Sequence, residues 1–356
     1  MSVAEGHIAI IGAGLMGGSL GMALRAQGWF VTGTDAEPER ADRGLELGAF
    51  DAVGADSSAV ITFVCTPVSS VVAVARHALA HGGIVTDIGS VKGPVTTALD
   101  HPRFIGGHPM AGSELDGIDG SDPLMFQGRT WVLTPTPTSD AASYARLHAV
   151  ISSLGAVVVS VAPARHDELV AVVSHVPHLV AATLMSVAAD CAAEHNTLLR
   201  MAAGGFRDMT RIAAGHPGIW LDICTENRSA IVGVLDGVIA ELGAMRSIVE
   251  TADRQRLQQV LGKARTARMN LPVGAPPPED LVEIRVPIPD RPGFIAEVAT
   301  LASDLGVNIF DVELSHSIEG DRGTLVVVVA TRAADLLRGG LLARGFRPSV
   351  SSLGER

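Results

Sequence analysis

Gly12-Ala13-Gly14-Leu15-Met16-Gly17 separates an apolar run at residues 8–11 from the helical pattern that follows it. The spacing is the G-x-G-x-x-G of a dinucleotide-binding turn. In such a turn Gly12 permits the tight bend, Gly14 lets a pyrophosphate approach the backbone, and Gly17 lets the helix pack closely on the sheet. The spacing alone occurs by chance, but a strand before it and a helix after it are the context that the turn requires. The stretch therefore predicts a Rossmann-type sheet at the N-terminus.

Asp35 ends the second predicted strand, eighteen residues after Gly17. A carboxylate at this place accepts a hydrogen bond from a ribose 2′-hydroxyl and repels a 2′-phosphate, so the sequence favours NAD over NADP. The alternative is that Asp35 only caps the helix that follows. Thr66-Pro67 comes directly after a later strand, where the nicotinamide ribose usually passes. The cofactor-binding residues expected from these patterns are Gly12, Gly14, Leu15, Met16, Gly17, Asp35, Thr66 and Pro67.

Three sequence patterns follow one another along the 356 residues and predict three domains. Residues 1–162 alternate short apolar strands with amphipathic helices, which is typical of a doubly wound α/β sheet. Residues 163–270 predict an all-α domain for substrate binding and dimerisation. Its long helices are predicted over residues 166–195, 216–242 and 242–269. Residues 271–280, LPVGAPPPED, form a Pro-rich linker, and residues 281–356 follow the order βαββαβ of a ferredoxin-like unit.

The composition limits the classes of partner. A net charge of −11 disfavours nucleic acid and anionic membranes, because both attract a basic surface. The three cysteines are widely spaced and form no C-x-x-C pair, so a disulfide framework is not indicated. The N-terminus lacks the basic start of a signal peptide. We expect a cytoplasmic protein with reduced thiols.

Residues 169–189 carry no Asp, Glu, Lys or Arg, and their length would suit a membrane span. Against a span, the stretch contains His175, Pro177 and His178, and no basic cluster flanks it. A helix that is apolar on all sides also forms the centre of a bundle or a subunit interface. We expect a buried helix here and no membrane partner.

Residues 106–114, Gly-Gly-His-Pro-Met-Ala-Gly-Ser-Glu, place an imidazole in a turn rich in Gly and Pro. The glycines and the proline serve a turn, but a turn has no use for the histidine and the glutamate among them. Loops on a rigid scaffold are where catalytic groups tend to lie. The stretch therefore indicates that His108 takes part in chemistry, as a base or hydrogen-bond acceptor.

Four further motifs stand out from an Ala/Val-rich background: Asp87-Ile-Gly-Ser-Val-Lys92, Ser174-His-Val-Pro-His178, Gly204-Gly-Phe-Arg-Asp-Met-Thr-Arg211 and Trp220-Leu-Asp222. Together with residues 106–114, and in this order, they closely resemble the prephenate dehydrogenase family of tyrosine biosynthesis. The resemblance covers nearly the whole of the first two predicted domains and is highly specific. The C-terminal unit resembles an ACT domain through Asp290-Arg-Pro-Gly-Phe294 and Gly306-Val-Asn-Ile309.

The resemblance implies an oxidative decarboxylation of prephenate with NAD. Hydride leaves C4 of the ring, the C4 hydroxyl loses its proton, and CO₂ departs as the ring becomes aromatic, giving 4-hydroxyphenylpyruvate. His108 can accept a hydrogen bond from that hydroxyl, a role worth ~10²–10⁴-fold in rate. Ser90 matches the serine that bridges the histidine, the substrate hydroxyl and the cofactor. The alternative is that Ser90 is the N-cap of a helix that begins near Lys92, and both roles can hold together.

The resemblance also assigns contacts to the rest of the substrate. Arg211 is expected to bind the ring carboxylate, because a guanidinium offers two parallel hydrogen bonds; a surface arginine is the alternative. His178 and Ser174 match positions that meet the pyruvyl side chain, and Pro177 should kink their helix.

Four more residues are expected to support these contacts. Glu114 and Asp208 would orient His108 and Arg207, and Trp220 would form a wall of the pocket. Arg207 stands where a lysine is common in the family, and a second guanidinium can serve the same ion network.

Other interpretations remain at this stage. A metal site of His166-Asp167 with His175 and His178 is disfavoured. No further group of carboxylates and histidines has the spacing of metal ligands, and a kink is expected within this segment. His175 is equally well explained as a buried histidine paired with a backbone carbonyl. The nearest alternative function is arogenate dehydrogenase, whose substrate has an ammonium where prephenate has a keto group. A dehydrogenase of the 6-phosphogluconate type leaves residues 106–114 unexplained, and a non-catalytic amino-acid and nucleotide sensor has no use for a base.

The likeness of the C-terminal unit to an ACT domain implies regulation. Such domains usually pair side by side and bind an amino acid between them, and tyrosine, the end product of the pathway, is the expected effector. The alternative is that the unit only strengthens a homodimer. The expected effector-binding residues are Asp290, Arg291, Pro292, Gly293, Phe294 and Asn308.

Overall fold

The computed structural model describes residues 6–113, 115–194, 197–215, 217–270, 281–289, 293–316 and 322–352. Its contacts group the chain into two compact units, residues 1–243 and residues 244–356. The predicted linker at residues 271–280 lies outside the described residues.

A mixed but mostly parallel sheet is the centre of the first unit. Its strands are β1 (His7–Ile11), β2 (Phe30–Thr34), β3 (Ala52–Val53), β4 (Ile61–Val64), β5 (Ile84–Asp87), β6 (Phe104–Pro109), β7 (Thr130–Thr134) and β8 (Val157–Ser160). They lie in the order β3-β2-β1-β4-β5-β6-β7-β8. All adjacent pairs are parallel except β6 and β7, which are antiparallel. The predicted Rossmann-type sheet is confirmed.

Helices connect these strands: α1 (Leu15–Ala26), α2 (Pro38–Glu46), α3 (Val68–Leu79), α4 (Gly93–Ala98) and α5 (Ala141–Ser153). The strand order reverses at β1, which lies between β2 and β4, and a crevice opens beyond the carboxyl ends of such strands. Ile10, Phe63 and Trp131 are fully buried in the core of this sheet. The short helix α4 corresponds to the helix that was considered as an alternative explanation of Ser90, but its N-cap is Lys92 and not Ser90.

A helical region follows the sheet: α6 (Pro163–Val170), α7 (Val176–Glu194), α8 (Gly204–Thr210), α9 (Gly218–Glu226), α10 (Arg228–Glu250) and α11 (Arg254–Met269). The predicted helical domain is confirmed, but the boundary predicted at Leu242 is wrong. Asn227 separates α9 from α10, and its side chain bonds to α6. Helix α10 continues through Gly243, since an interior glycine is only about 1 kcal/mol less favourable than alanine. The next break comes at Ala252, whose φ is 49°, and Asp253 caps α11.

A π-helical turn at Ala171–His175 joins α6 to α7. Pro177, in the first turn of α7, has no N–H to donate to the turn before it, so the regular ladder of hydrogen bonds is interrupted there. The kink predicted at Pro177 therefore takes the form of this wide turn, which contains both Ser174 and His175.

The helical segment Pro163–Ala192 is long and apolar enough to cross a membrane, and 33% of its most apolar window is buried. One such helix is weak evidence for a membrane span, because core helices pass the same test. The exposed part of the segment carries Val172, Val173 and Val187. The sequence predicted a buried helix, and in the single chain only part of the helix surface is buried.

The second unit contains β9 (Leu281–Pro289), α12 (Phe294–Asp304), β10 (Ile309–His316), β11 (Arg322–Ala330), α13 (Thr331–Ala343) and β12 (Ser349–Ser352). The strand order is β10-β11-β9-β12, and every adjacent pair is antiparallel. Ile284 and Leu325 of the sheet pack with Leu301 and Leu337 of the two helices. The predicted βαββαβ order is confirmed.

Candidate active site

The Gly-rich turn lies between β1 and α1, at the point where the strand order reverses. Gly12 has a φ of 110°, and a side chain there would collide with the carbonyl of Cys65. A side chain at Gly17 would collide with the carbonyl of Gly12. Apart from Gly14 itself and the adjacent chain, no described atom lies within 4 Å of the place that a Cβ of Gly14 would take. The turn is thus closed where it meets the fold and open where a pyrophosphate would approach.

Two polar side chains border this turn. Asp35 Oδ2 accepts a hydrogen bond from the Ala13 N–H at 2.7 Å, and Oδ1 accepts one from the Glu37 N–H at 2.9 Å. The half-buried carboxylate therefore joins the turn to the start of α2. The hydroxyl of Thr66 is buried without a hydrogen-bond partner among the described residues. Because an unpaired buried hydroxyl is unfavourable, a ligand that pairs with Thr66 would bind more tightly. These residues fit a bound dinucleotide.

A cavity of about 430 Å³ lies between the end of β6 and the helical region. Ser90 and His108 line it from the sheet side, and Ser174, His175 and Trp220 line it from the helices. Four separate stretches of sequence, which carry Ser90, His108, Ser174 and Trp220, therefore meet around one space.

His108 is buried at the end of β6 and belongs to a chain of hydrogen bonds. Its Nδ1 lies 2.8 Å from Nε2 of His166, and Nδ1 of His166 lies 2.8 Å from Oδ1 of Asp167. Burial holds the pKa of His108 well below its ordinary value, and neighbouring basic groups lower it further. His108 is therefore neutral at neutral pH and has a lone pair that can accept a proton.

A buried ion pair supports the backbone next to His108. Lys92 Nζ donates to Oδ2 of Asp87, and both side chains are fully buried. Lys92 also donates to the Gly107 carbonyl at 2.8 Å, and Asp87 accepts from the Gly107 N–H at 3.3 Å. Burial lowers the pKa of Lys92, while the charge of Asp87 acts in the opposite direction. The pair thus joins the end of β5 to β6, directly before His108.

His175 has one ring nitrogen paired and the other available. Its Nδ1 lies 3.1 Å from Nδ2 of Asn227, and the same amide donates to the Asp167 carbonyl at 2.9 Å. Its Nε2 is buried and has no partner within the described part of the chain. Burial lowers the pKa of His175 to about 4, so the ring is neutral. Because the amide donates to Nδ1, the ring carries its proton on Nε2 and can donate it to a ligand. An amide side chain thus takes the place of the carbonyl partner suggested by the sequence.

His178 stacks on Trp220, with ring centroids 3.6 Å apart and an interplanar angle of 13°. This contact buries His178, and burial lowers its pKa. The stack holds Trp220, which forms part of the cavity wall. His178 therefore lies behind the wall, one ring away from the cavity.

The two predicted arginines are on the surface of the chain. Arg211 is exposed at the start of the 3₁₀ turn Arg211–Ala214, and Arg207 is exposed on α8, where its Nε donates to a backbone carbonyl at 3.2 Å. Neither arginine is among the described residues that line the cavity. Asp208 is exposed on the same helix as Arg207, and Glu114 lies outside the described residues.

Several residues at the site were missed by sequence reasoning. Arg129 lines the cavity, but a lone arginine before a strand carries no signal. His166 and Asp167 were considered only as metal ligands, whereas the structure connects them to His108. In the described ranges, no group of three or more His, Cys, Asp or Glu side chains could hold a metal ion. An adjacent His-Asp pair at the start of an apolar helix was the signal available.

The predicted effector residues of the second unit divide into two places. Gly293 has a φ of 97° at the start of α12, and Phe294 packs on Phe346 with ring centroids 5.5 Å apart. The exposed Asn308 comes just before β10, at the end of the sheet where β9 starts, whereas Gly293 follows the other end of β9. One unit therefore does not bring Gly293 and Asn308 together. Outside the described residues lie Asp290, Arg291 and Pro292.

Known proteins are similar to the sheet and the helical region of this chain. Sequence models of the prephenate dehydrogenase nucleotide-binding domain and dimerization domain match residues 20–160 and 162–263. Prephenate dehydrogenase of Bacillus subtilis is 31% identical over 345 residues, which cover 91% of this chain and 92% of that protein. The structure of A. aeolicus prephenate dehydrogenase with hydroxyphenyl propionate and NAD+ is 30% identical, with a TM-score of 0.71 over 76% of this chain and 99% of that chain. Synechocystis arogenate dehydrogenase is also 30% identical, with a TM-score of 0.64 over 74% of this chain and 98% of that chain.

Proposed function

The chain belongs to the prephenate dehydrogenase family, and on this premise we propose that it converts prephenate into 4-hydroxyphenylpyruvate and CO₂ with transfer of hydride to NAD. The observation that carries the proposal is the buried, neutral His108 in a cavity that it shares with Ser90. The reaction needs a group that takes the proton of the C4 hydroxyl as hydride leaves C4. A neutral imidazole held away from water suits that role and is worth ~10²–10⁴-fold in rate.

NAD, when bound, accepts the hydride from C4 of the substrate. The open backbone at Gly14 and the N-terminus of α1 would hold its pyrophosphate. Asp35 would hold the adenosine ribose and repel a 2′-phosphate, and the unpaired hydroxyl of Thr66 would meet the nicotinamide ribose. The full set of proposed contacts is Gly12, Gly14, Leu15, Met16, Gly17, Asp35, Thr66, Pro67 and Ser90.

Charged groups of the chain would hold the ring carboxylate. The likeness to the family favours Arg211 for this carboxylate, with Arg207 and Glu114 in the surrounding ion network. Arg129 in the cavity wall offers a further guanidinium. Each guanidinium can bind a carboxylate through two parallel hydrogen bonds, so these arginines would fix the orientation of the ring.

The substrate side chain would lie against Ser174, Trp220 and the stacked His178. The described part of the cavity wall contains no Asp or Glu, and burial keeps His178 neutral. An ammonium group would find no counter-charge among these residues, which favours the keto acid of prephenate. Arogenate is the second candidate substrate, because this chain is 30% identical both to the arogenate dehydrogenase of Synechocystis and to the prephenate dehydrogenase of A. aeolicus.

Formation of NADH with prephenate and with arogenate, offered separately at equal concentration, tests this assignment. We expect faster turnover of prephenate, and loss of turnover in His108→Gln. Preference for arogenate would overturn the side-chain contacts but leave His108 in place. If no NADH forms with either substrate, the proposed reaction is overturned.

The helical region is proposed to pair two subunits of a cytoplasmic homodimer. Val173, Met201 and Leu221 are apolar yet 66%, 80% and 72% exposed. Exposed apolar side chains in one region are typical of an interface. Sedimentation velocity should show a monomer for Leu221→Asp and a dimer for Leu45→Asp, a matched change at an exposed leucine on α2. A dimer in both variants would contradict this surface.

Feedback inhibition by tyrosine is proposed for the second unit. Because Gly293 and Asn308 lie at opposite ends of the four-stranded sheet, an amino acid that touches both would have to bind between two copies of the unit. Initial rates measured against tyrosine concentration should fall for the wild-type enzyme and stay level for Asn308→Ala. If tyrosine does not change the initial rate of the wild-type enzyme, feedback inhibition is contradicted, and the remaining role of the unit is to stabilise the dimer.

A further inference from the structure

We propose that Asp167 and His166 are positioning residues that fix the tautomer of His108, so that its Nε2 carries the lone pair that accepts the substrate proton. The proposal rests on the proposed function for the identity of the substrate. It rests on the buried chain of hydrogen bonds for the tautomer.

The direction of the chain is defined at Asp167. Its Oδ1 accepts from the Lys92 N–H at 2.8 Å, and its Oδ2 accepts from the Gly93 N–H at 2.7 Å. Both oxygens therefore act as acceptors, and a carboxylate has no proton to donate. Since Nδ1 of His166 lies 2.8 Å from Oδ1, this ring nitrogen must be the donor.

The donor at Nδ1 of His166 determines the rest of the chain. A neutral imidazole with its proton on Nδ1 has its lone pair on Nε2. Nε2 of His166 lies 2.8 Å from Nδ1 of His108, so His108 donates from Nδ1. The lone pair of His108 is then on Nε2, the ring nitrogen that His166 does not use. A doubly protonated His166 would instead donate from Nε2 to Nδ1 of His108, and the NMR measurement below distinguishes the two arrangements.

Asp167 also connects this chain to the segment of Ser90. Its side chain accepts hydrogen bonds from the N–H groups of Lys92 and Gly93, which closely follow Ser90. Its backbone carbonyl accepts from the Asn227 amide at 2.9 Å. One side chain therefore holds both the histidine chain and the loop that carries the cavity serine. In serine proteases, the aspartate that fixes the tautomer of a catalytic histidine contributes about 10⁴-fold to kcat.

NMR of histidine ring nitrogens in the full chain with NAD bound tests the tautomer directly. The rings are labelled with ¹⁵N, and the signals of His108 and His166 are assigned with His108→Gln and His166→Gln. In the wild-type protein near neutral pH, we expect the proton on Nδ1 of both rings. A proton on Nε2 of His108, or two protons on His166, would overturn the proposal. The measurement needs no turnover, so it decides the tautomer even if neither prephenate nor arogenate is a substrate.

Asp167→Asn supplies the kinetic test. Its amide can donate to His166, which reverses the chain and leaves the proton of His108 on Nε2. We expect kcat to fall by about 10²–10⁴-fold, while KM for prephenate stays within about threefold. Asp140→Asn is the matched control, because Asp140 caps α5 by accepting from the Ser143 N–H at 2.7 Å. Wild-type kcat in Asp167→Asn would overturn the proposal, and so would an equal loss in Asp140→Asn. If Asp167→Asn does not fold, the wild-type NMR result decides.

Discussion

Lys92→Met tests whether the buried ion pair with Asp87 holds the segment next to His108. Both side chains are fully buried, so methionine would leave Asp87 as a buried charge with only backbone N–H partners. Removing one partner of a buried pair lowers the free energy of unfolding by about 3–5 kcal/mol. For a unit of this size, each kcal/mol corresponds to roughly 2–4 °C in Tm, so Tm should fall by roughly 6–20 °C.

Urea and thermal unfolding followed by circular dichroism measure this loss. Arg165→Met is the matched control, because Arg165 pairs with Glu168 on the surface, where an ion pair contributes about 0–1 kcal/mol. The double variant Asp87→Asn with Lys92→Met removes both charges and should recover part of the stability. A free energy of unfolding for Lys92→Met within about 1 kcal/mol of the wild type would refute the argument that burial makes this pair indispensable.

The histidines and Asp35 supply the other tests. Because burial holds the pKa of His108 well below 6.5, kcat/KM for prephenate should stay level from about pH 8 to 6.5 and fall only in more acidic solution; an acid limb centred above about pH 7 would contradict His108 as the base. His175 has a pKa of about 4 when folded against 6.5 when unfolded, so the unfolded chain binds more protons between these values and stability is lost as pH falls from 6.5 toward 4. That loss approaches roughly 3 kcal/mol and should be smaller in His175→Gln; equal dependence of Tm on pH in both proteins would exclude His175 as its source. Asp35→Ala should raise KM for NAD by about tenfold or more and narrow the preference over NADP, because a hydrogen bond to a carboxylate is worth ~1.5–3 kcal/mol; an unchanged ratio of the two cofactors would contradict the ribose contact.

Much of the fold could be predicted because its signals are local. The Gly12–Gly17 turn, the alternation of strands and helices, and the βαββαβ order of the second unit each repeat within a few residues. The prediction failed where distant contacts decide the backbone. Asn227 separates two helices while its amide bonds to Asp167 and lies against His175, both more than fifty residues earlier.

The candidate site was predictable in its parts. Ser90, His108, Ser174 and Trp220 stand in motifs of unusual composition, and the structure places them around one cavity. Arg129 gave no such signal, because one arginine at the start of a strand is ordinary on a protein surface. The contribution of Arg129 depends on where β7 begins relative to the helical region, and no short stretch of sequence encodes that.

Residue order alone was enough to predict the nucleotide-binding turn and the succession of α/β, helical and ferredoxin-like parts, and to single out His108 as the proposed base. Packing in three dimensions was needed to show why that histidine can act as a base. His108 and His166 are 58 residues apart, and the bond between them exists only because β6 and α6 bring their side chains into contact. The low pKa of His108 is likewise a property of its burial, since the same imidazole in water would keep its ordinary value.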